Sequence, residues 1–140
     1  MDINRYILPT QQTFLESANY QVMQLVAGGS RNNVLTFMDV LSANIINTRQ
    51  IKVVFGRKLS FQPQGLFELS VSFGAILTFK EGGFEAEDWP SFDLSKEIIN
   101  NSPNIVNNLA ARTSLLISQI TASFGQNPII TPPTFHKSNK

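Results

Sequence analysis

The 140 residues contain no cysteine and only one histidine. Without thiols there is no disulfide, no thiolate nucleophile and no cysteine zinc site. The histidine, His136, lies in a polar tail, so neither a histidine-pair metal site nor a His-based catalytic constellation is expected within one chain. Charge is scarce too. Eleven basic residues face ten acidic ones, and the net charge is +1. That balance argues against a nucleic-acid binder driven by electrostatics. No apolar run approaches the roughly 20 residues a spanning helix needs, so membrane insertion is not expected. The start, Met1-Asp2-Ile3-Asn4-Arg5-Tyr6, lacks the basic-then-apolar order of a signal peptide, and a cytoplasmic location is the default expectation. Gly28-Gly29-Ser30-Arg31 lacks the spacing and lysine of a phosphate loop. Glu85, Glu87, Asp88 and Asp93 do not match a calcium loop. No cofactor or metal is implied. Few routes to enzymatic chemistry remain, so a non-enzyme is expected.

What the chain has is a long apolar helix after a long alternating strand, in one domain's length of chain. Ser102 and Pro103 read as a helix start, and Gly125 with Pro128 as its stop. Ile105, Leu109, Leu116 and Ile120 line one stripe. Val106, Ala110, Ile117 and Phe124 line the next. Arg112 is the only charge, and the polar strip of Asn107, Ser114, Ser118 and Thr121 is narrow. A surface helix normally has a charged outer face. This one is expected to be covered on more than one side, within the monomer or by a second subunit.

Before it, Phe67, Leu69, Val71, Phe73, Ala75, Leu77 and Phe79 alternate with mostly polar residues, as in an antiparallel sheet with one buried face. Fourteen such residues extend about 46 Å at roughly 3.3 Å each, which suits a sheet shared across subunits. Two earlier extended stretches run over 34–46 and 51–61, with a turn at Asn47-Thr48 between them. Each carries a charge on its apolar parity. Asp39 suggests a bulge or an exposed stretch, and Gly56 beside Arg57 suggests a bulge that turns the arginine outward. Residues 1–9 read as a loose lead-in, and 136–140 as a frayed end. Over 10–27, Leu15, Ala18, Val22 and Leu25 recur at three and four, which predicts a helix; a strand over Tyr20–Val26 is the competing reading. Residues 93–99 suit a short helical turn. The tail 128–135 is expected to lie extended along the sheet or the helix.

Candidate contacts follow from this layout. Phe84, Trp89 and Phe92, in an acidic loop, either bind apolar segments or fold over the core edge. Together with Ile129 and Phe135 they are the candidate polypeptide-binding residues. Ile105, Leu109, Leu116, Ile117 and Ile120 are the candidate oligomer interface. Lys52 and Lys58 suit a solvated sheet face, with Glu68 and Lys80 nearby. Arg112 is expected to pair with an acidic residue or with backbone carbonyls.

The order of elements resembles the SecB family of bacterial export chaperones over roughly residues 49–135. The residues that carry the likeness are Pro103-Asn104-Ile105, Ala111-Arg112, Gly125, Pro128 and Pro132-Pro133-Thr134-Phe135, after the strand Phe67-Glu68-Leu69-Ser70-Val71. Ala110 stands where the family has an aromatic residue, and Thr134 where it has asparagine. The resemblance implies an α+β domain spanning 1–140, with an antiparallel sheet of about four strands and one long apolar helix packed on it. It also implies a homotetramer, a dimer of dimers, that binds unfolded or nascent polypeptide in apolar grooves without ATP. The role would lie in protein export or with a dedicated client such as an antitoxin. Lys52, Lys58 and Lys80 replace the acidic sheet face by which the family docks the SecA motor, which argues against SecA as a partner. The family's second C-terminal helix has no counterpart in this sequence. The alternatives from other classes are a small hot-dog-type enzyme, whose central helix precedes most of its strands, and an assembly protein without a client.

Overall fold

Alternation over 67–79 is the pattern the sheet is built on. In the computed structural model, which describes residues 7–8, 11–24, 34–62, 66–80, 93–124 and 127–136, four strands and two helices follow one another. They are β1 (Gln12–Gln24), β2 (Val34–Asn47), β3 (Gln50–Gln62), β4 (Leu66–Thr78), α1 (Leu94–Asn101) and α2 (Pro103–Ala122). The strands form one antiparallel sheet in the order β1-β4-β3-β2. The fold is α+β, as expected. β3 and β4 are central, and their odd-numbered residues from Ile51 to Leu59 and from Phe67 to Leu77 face the helices. Most of these are fully buried, while Lys52, Lys58, Glu68 and Ser70 face the open side. There Lys58 pairs with Glu68 and Lys52 with Glu16, at 3.6 and 2.9 Å.

The expected helix at 10–27 is a strand, β1. Pairing with β4 decides the matter, and a bulge explains the misleading spacing. Leu15 lies opposite Phe73 and Ala18 opposite Val71, with the register slipping between Leu15 and Ser17. The extra residue places Leu15 and Ala18 on one face although they are three apart. Beyond the bulge, Ala18, Tyr20 and Val22 share that face at the ordinary strand period. Steps of three and then four therefore arise from a bulged strand. As an edge strand β1 is covered on few sides, and Leu15, Tyr20 and Val22 remain exposed.

The lead-in is also more ordered than expected at one point. Ile7 bridges Phe79 and is buried, and the Leu8 amide donates to the Thr78 carbonyl at 2.8 Å. The turn foreseen at 93–99 is a helix of eight residues, α1, capped by Asp93, whose Oδ1 accepts from the Lys96 amide. α2 opens on Pro103, whose missing N–H is one of the unpaired groups at a helix start. The stop predicted at Gly125 lies outside the described residues.

α2 packs one stripe on β3 and β4: Ile105, Val106, Leu109, Ala110 and Ile117 are buried. Thr113 and Thr121 are buried with them, each hydroxyl donating to the carbonyl four residues back, at 2.8 Å. Two apolar clusters result. One gathers Ile51, Val53, Phe55 and Leu77 beneath α1 and the first half of α2. The other gathers Leu59, Leu69, Val71 and Ile117, with Leu116 and Ile120 packed against it.

On the open side the Phe14 ring lies over Gly74, so that a Cβ at Gly74 would meet Phe14 Cζ at 2.5 Å. A Cβ at Gly56 would meet only Ser72 Oγ, at 3.4 Å. Gly74→Val is therefore expected to lower stability by about 1–3 kcal/mol through overpacking, while Gly56→Ala changes little. Urea denaturation of the two variants checks this; equal effects would contradict the close approach of Phe14.

Candidate functional site

The two charges that break the apolar parity of their strands meet each other. Continuing the β2–β3 register from Ile45 opposite Ile51 places Asp39 opposite Arg57, with no bulge at either residue. Arg57 thus points inward, against the expectation that a bulge would turn it out. Its Nε donates to Asp39 Oδ1 at 2.6 Å and its Nη2 to Asp39 Oδ2 at 2.7 Å. Both side chains are fully buried. Phe37 and Phe55 lie against the guanidinium, with their ring centroids 5.0 and 5.3 Å from Cζ. On β3, Arg57 sits between Phe55 of one core cluster and Leu59 of the other.

A buried guanidinium has more donors than one carboxylate can accept. The remaining acceptors come from the chain's own tail, residues 127–136. Arg57 Nη1 donates to the Pro132 carbonyl at 2.6 Å and to Thr131 Oγ1 at 2.8 Å, and Nη2 donates to the Thr134 carbonyl at 2.9 Å. Asp39 Oδ2 in turn accepts from the His136 amide at 2.8 Å. α2 supplies two further main-chain contacts. Ser114 Oγ donates to the Thr131 carbonyl at 2.6 Å, and Thr121 Oγ1 accepts from the Ile129 amide at 2.8 Å. The tail therefore lies in a groove between α2 and the β2–β3 hairpin, with a bend at Pro133 and Thr134, without joining the sheet ladder. Its side chains alternate. Ile129 packs on the second cluster, Thr131 is buried, and Phe135 packs on the first cluster 6.1 Å from the Phe55 ring. Ile130 between them is 77 % exposed. His136, expected to be frayed, has its ring 5.1 Å from Phe37. Next to Phe135 a cavity of about 430 Å³ is bordered by Lys96, Ile99 and Asn100.

Of the expected polypeptide-binding residues, Ile129 and Phe135 are half-buried and pack against the protein's own core clusters. Phe84, Trp89 and Phe92 lie outside the described residues. Of the expected interface residues, Ile105, Leu109 and Ile117 are covered by their own sheet and Leu116 and Ile120 are half-buried. What α2 presents outward is Asn108, Ala111, Arg112, Leu115 and Gln119, with Leu115 at 60 % exposure. Arg112 is exposed, and no ion pair joins it to an acidic group among the described residues. On the opposite side of the sheet, Val34, Met38 and Val40 of edge strand β2 form an exposed apolar row. Among the described residues no group of three or more His, Asp or Glu could hold a metal ion.

The residues that sequence reasoning missed are Asp39 and Arg57 as partners. The signal was present. Both lie on the apolar parity, and each is nine residues from Thr48. Removing one partner leaves a buried charge without its counter-ion, so Asp39→Ala and Arg57→Ala are each expected to destabilise by about 3–5 kcal/mol. The double variant Asp39→Leu/Arg57→Met is expected to lose less than the sum of the two. Equilibrium denaturation of all three measures this, and strict additivity would contradict the coupling.

No family model matches the chain, and no curated protein matches it by sequence. Solved structures do. One is similar at 12 % identity and a TM-score of 0.46 over 90 % of this chain and 98 % of its own, a protein of unknown function from Streptococcus agalactiae. Another is the SecB-like chaperone Rv1957 of Mycobacterium tuberculosis, in complex with a ChAD peptide from the antitoxin HigA1. The two chains are 10 % identical, with a TM-score of 0.64 over 93 % of this chain and 91 % of that one. Four antiparallel strands followed by a long apolar helix, and this likeness along nearly the whole chain, give the protein the fold of a SecB-like chaperone.

Proposed function

We propose that this protein is an ATP-independent chaperone that holds unfolded polypeptide. One observation carries the reading: the fold holds a segment of extended chain against its helix and sheet through main-chain hydrogen bonds and alternate side chains. That is how a protein recognises a chain that has no fold of its own. The shared fold with a chaperone solved with a peptide from an antitoxin supports the same reading. A client of that kind, bound for a dedicated purpose, fits this chain as well as a general role in export does. A holdase lowers the concentration of free unfolded chain by mass action and needs no positioned acid or base.

The assembly proposed is a cytoplasmic homotetramer, a dimer of dimers. Its support lies in surfaces one chain leaves open. The outer strip of α2 has one charge, Arg112, and exposes Leu115 and Ala111. The edge strands β1 and β2 run for 13 and 14 residues, and the few charges on them are engaged: Glu16 with Lys52 and Asp39 with Arg57. Long edges without free charge or proline are prone to pair with other chains. The open sheet face carries Lys52 and Lys58 balanced by Glu16 and Glu68, which offers no acidic surface to a SecA-like motor.

Added without nucleotide to a refolding, aggregation-prone protein, one tetramer per client is expected to suppress light scattering. Unchanged scattering would overturn the holdase reading. Leu115→Asp, at an exposed position, is expected to reduce the mass in solution while leaving the helical content intact. A monomeric wild-type mass would remove the assembly proposal.

A further inference from the structure

The tail's contacts have a property that goes beyond holding a terminus in place. Between Ile129 and His136, five hydrogen bonds run from side chains of the groove to the tail's main chain: Thr121 to the Ile129 amide, Ser114 to the Thr131 carbonyl, Arg57 to the Pro132 and Thr134 carbonyls, and Asp39 to the His136 amide. Only one, from Arg57 to Thr131 Oγ1, reads a tail side chain. Main-chain groups are common to every polypeptide, so the same donors and acceptors fit any segment that follows the tail's path, bend at Pro133 and Thr134 included, without proline at the two amide positions. We infer that residues 127–136 are the resident ligand of a polypeptide-binding groove between α2 and the β2–β3 hairpin, and that an extended client displaces them.

Three features make exchange feasible. First, Arg57 holds the tail through two main-chain carbonyls, which any polypeptide supplies. A client carbonyl replaces a tail carbonyl in kind, so the ion pair with Asp39 stays satisfied in both states. Second, the tail pairs with no strand, and its departure breaks no sheet ladder. Third, the aromatic end of the groove is not full. The cavity beside Phe135 gives a client room for a larger apolar side chain than the tail supplies.

The ligand class follows from the sockets. A β-branched or aliphatic residue is accepted where Ile129 packs, a small polar residue where Thr131 is buried, and an aromatic residue where Phe135 packs. The two apolar sockets are six residues apart, with the bend at Pro133 and Thr134 between them. No carboxylate or ammonium is accommodated at the buried positions, since Arg57 already has its counter-ion in Asp39. The competition is a population effect. A client sees only the fraction of molecules whose tail is out, and its apparent affinity falls by that fraction.

This inference rests on the holdase reading for the identity of the client, and its test separates the two. Amide exchange is measured on the full-length wild-type protein, alone and saturated with a permanently unfolded polypeptide. Protection of the Ile129 and His136 amides is expected to drop at least about tenfold with the client present. A client that binds while both amides stay protected overturns the inference and leaves the holdase reading standing. In parallel, a labelled synthetic peptide of residues 127–136 is titrated into wild type and into Ile129→Asp and Phe135→Asp, which loosen the tail. Peptide affinity is expected to rise about tenfold or more in the variants. Unchanged or weaker affinity would make the tail a fixed wall of the fold. Should wild type bind no unfolded client while the loosened variants capture the peptide, the holdase reading fails and the groove remains. The exchange measurement needs no substitution, so a variant that fails to fold does not remove the test.

Discussion

A buried ion pair sets the terms for this fold. Arg57 and Asp39 sit opposite each other on adjacent strands, at the seam between two apolar clusters, with no access to water. Taking both charges out of water costs several kcal/mol per ion, and their mutual attraction offsets this only if the remaining donors are also met. One carboxylate leaves the guanidinium under-satisfied, and what completes it is a stretch of extended main chain. The tail is therefore required by electrostatics as much as by packing. Helix, hairpin and tail are tied together at one residue, which a purely apolar core would not achieve.

From that tie the rest of the architecture acquires a purpose. One side of the sheet carries the 20-residue helix, and the space between that helix and the β2–β3 hairpin holds one segment of chain, residues 127–136. Ser114 and Thr121 place a donor and an acceptor on the helix wall. Asp39 and Arg57 place both on the sheet wall. A site with hydrogen-bonding groups on two walls and apolar sockets at two ends recognises chain direction and spacing more than sequence. That tolerance is what the proposed holdase role would need. The outer strip of α2 and the two long edges are separate surfaces, suited to contacts between copies.

Much of this was legible from the residues. Alternation over 67–79 gave the central strand, the run from Ser102 gave α2, and the prolines of the tail gave an extended segment. The first strand was not legible, because a bulge at Glu16 turns a period of two into steps of three and four. Arg57 was read as turned outward, since a charge on an apolar parity looks like an interruption until its partner is found. The register supplies that partner: the hairpin turn places Asp39 opposite. Ile129 and Phe135, expected to bind polypeptide, pack against the two core clusters of their own chain. Composition cannot separate a residue that binds a client from one that imitates a client.

The central claim is that one groove, organised around Arg57, holds either the protein's own tail or another extended chain. Isotope-filtered nuclear Overhauser contacts from the Phe37 and Phe55 rings test it most directly, with labelled protein and unlabelled client. In the free protein these rings should contact His136 and Phe135, which lie 5.1 and 6.1 Å from them. With client saturating, the account predicts that these contacts disappear and are replaced by contacts to client protons. Persistence of the intramolecular contacts at full client occupancy would contradict it.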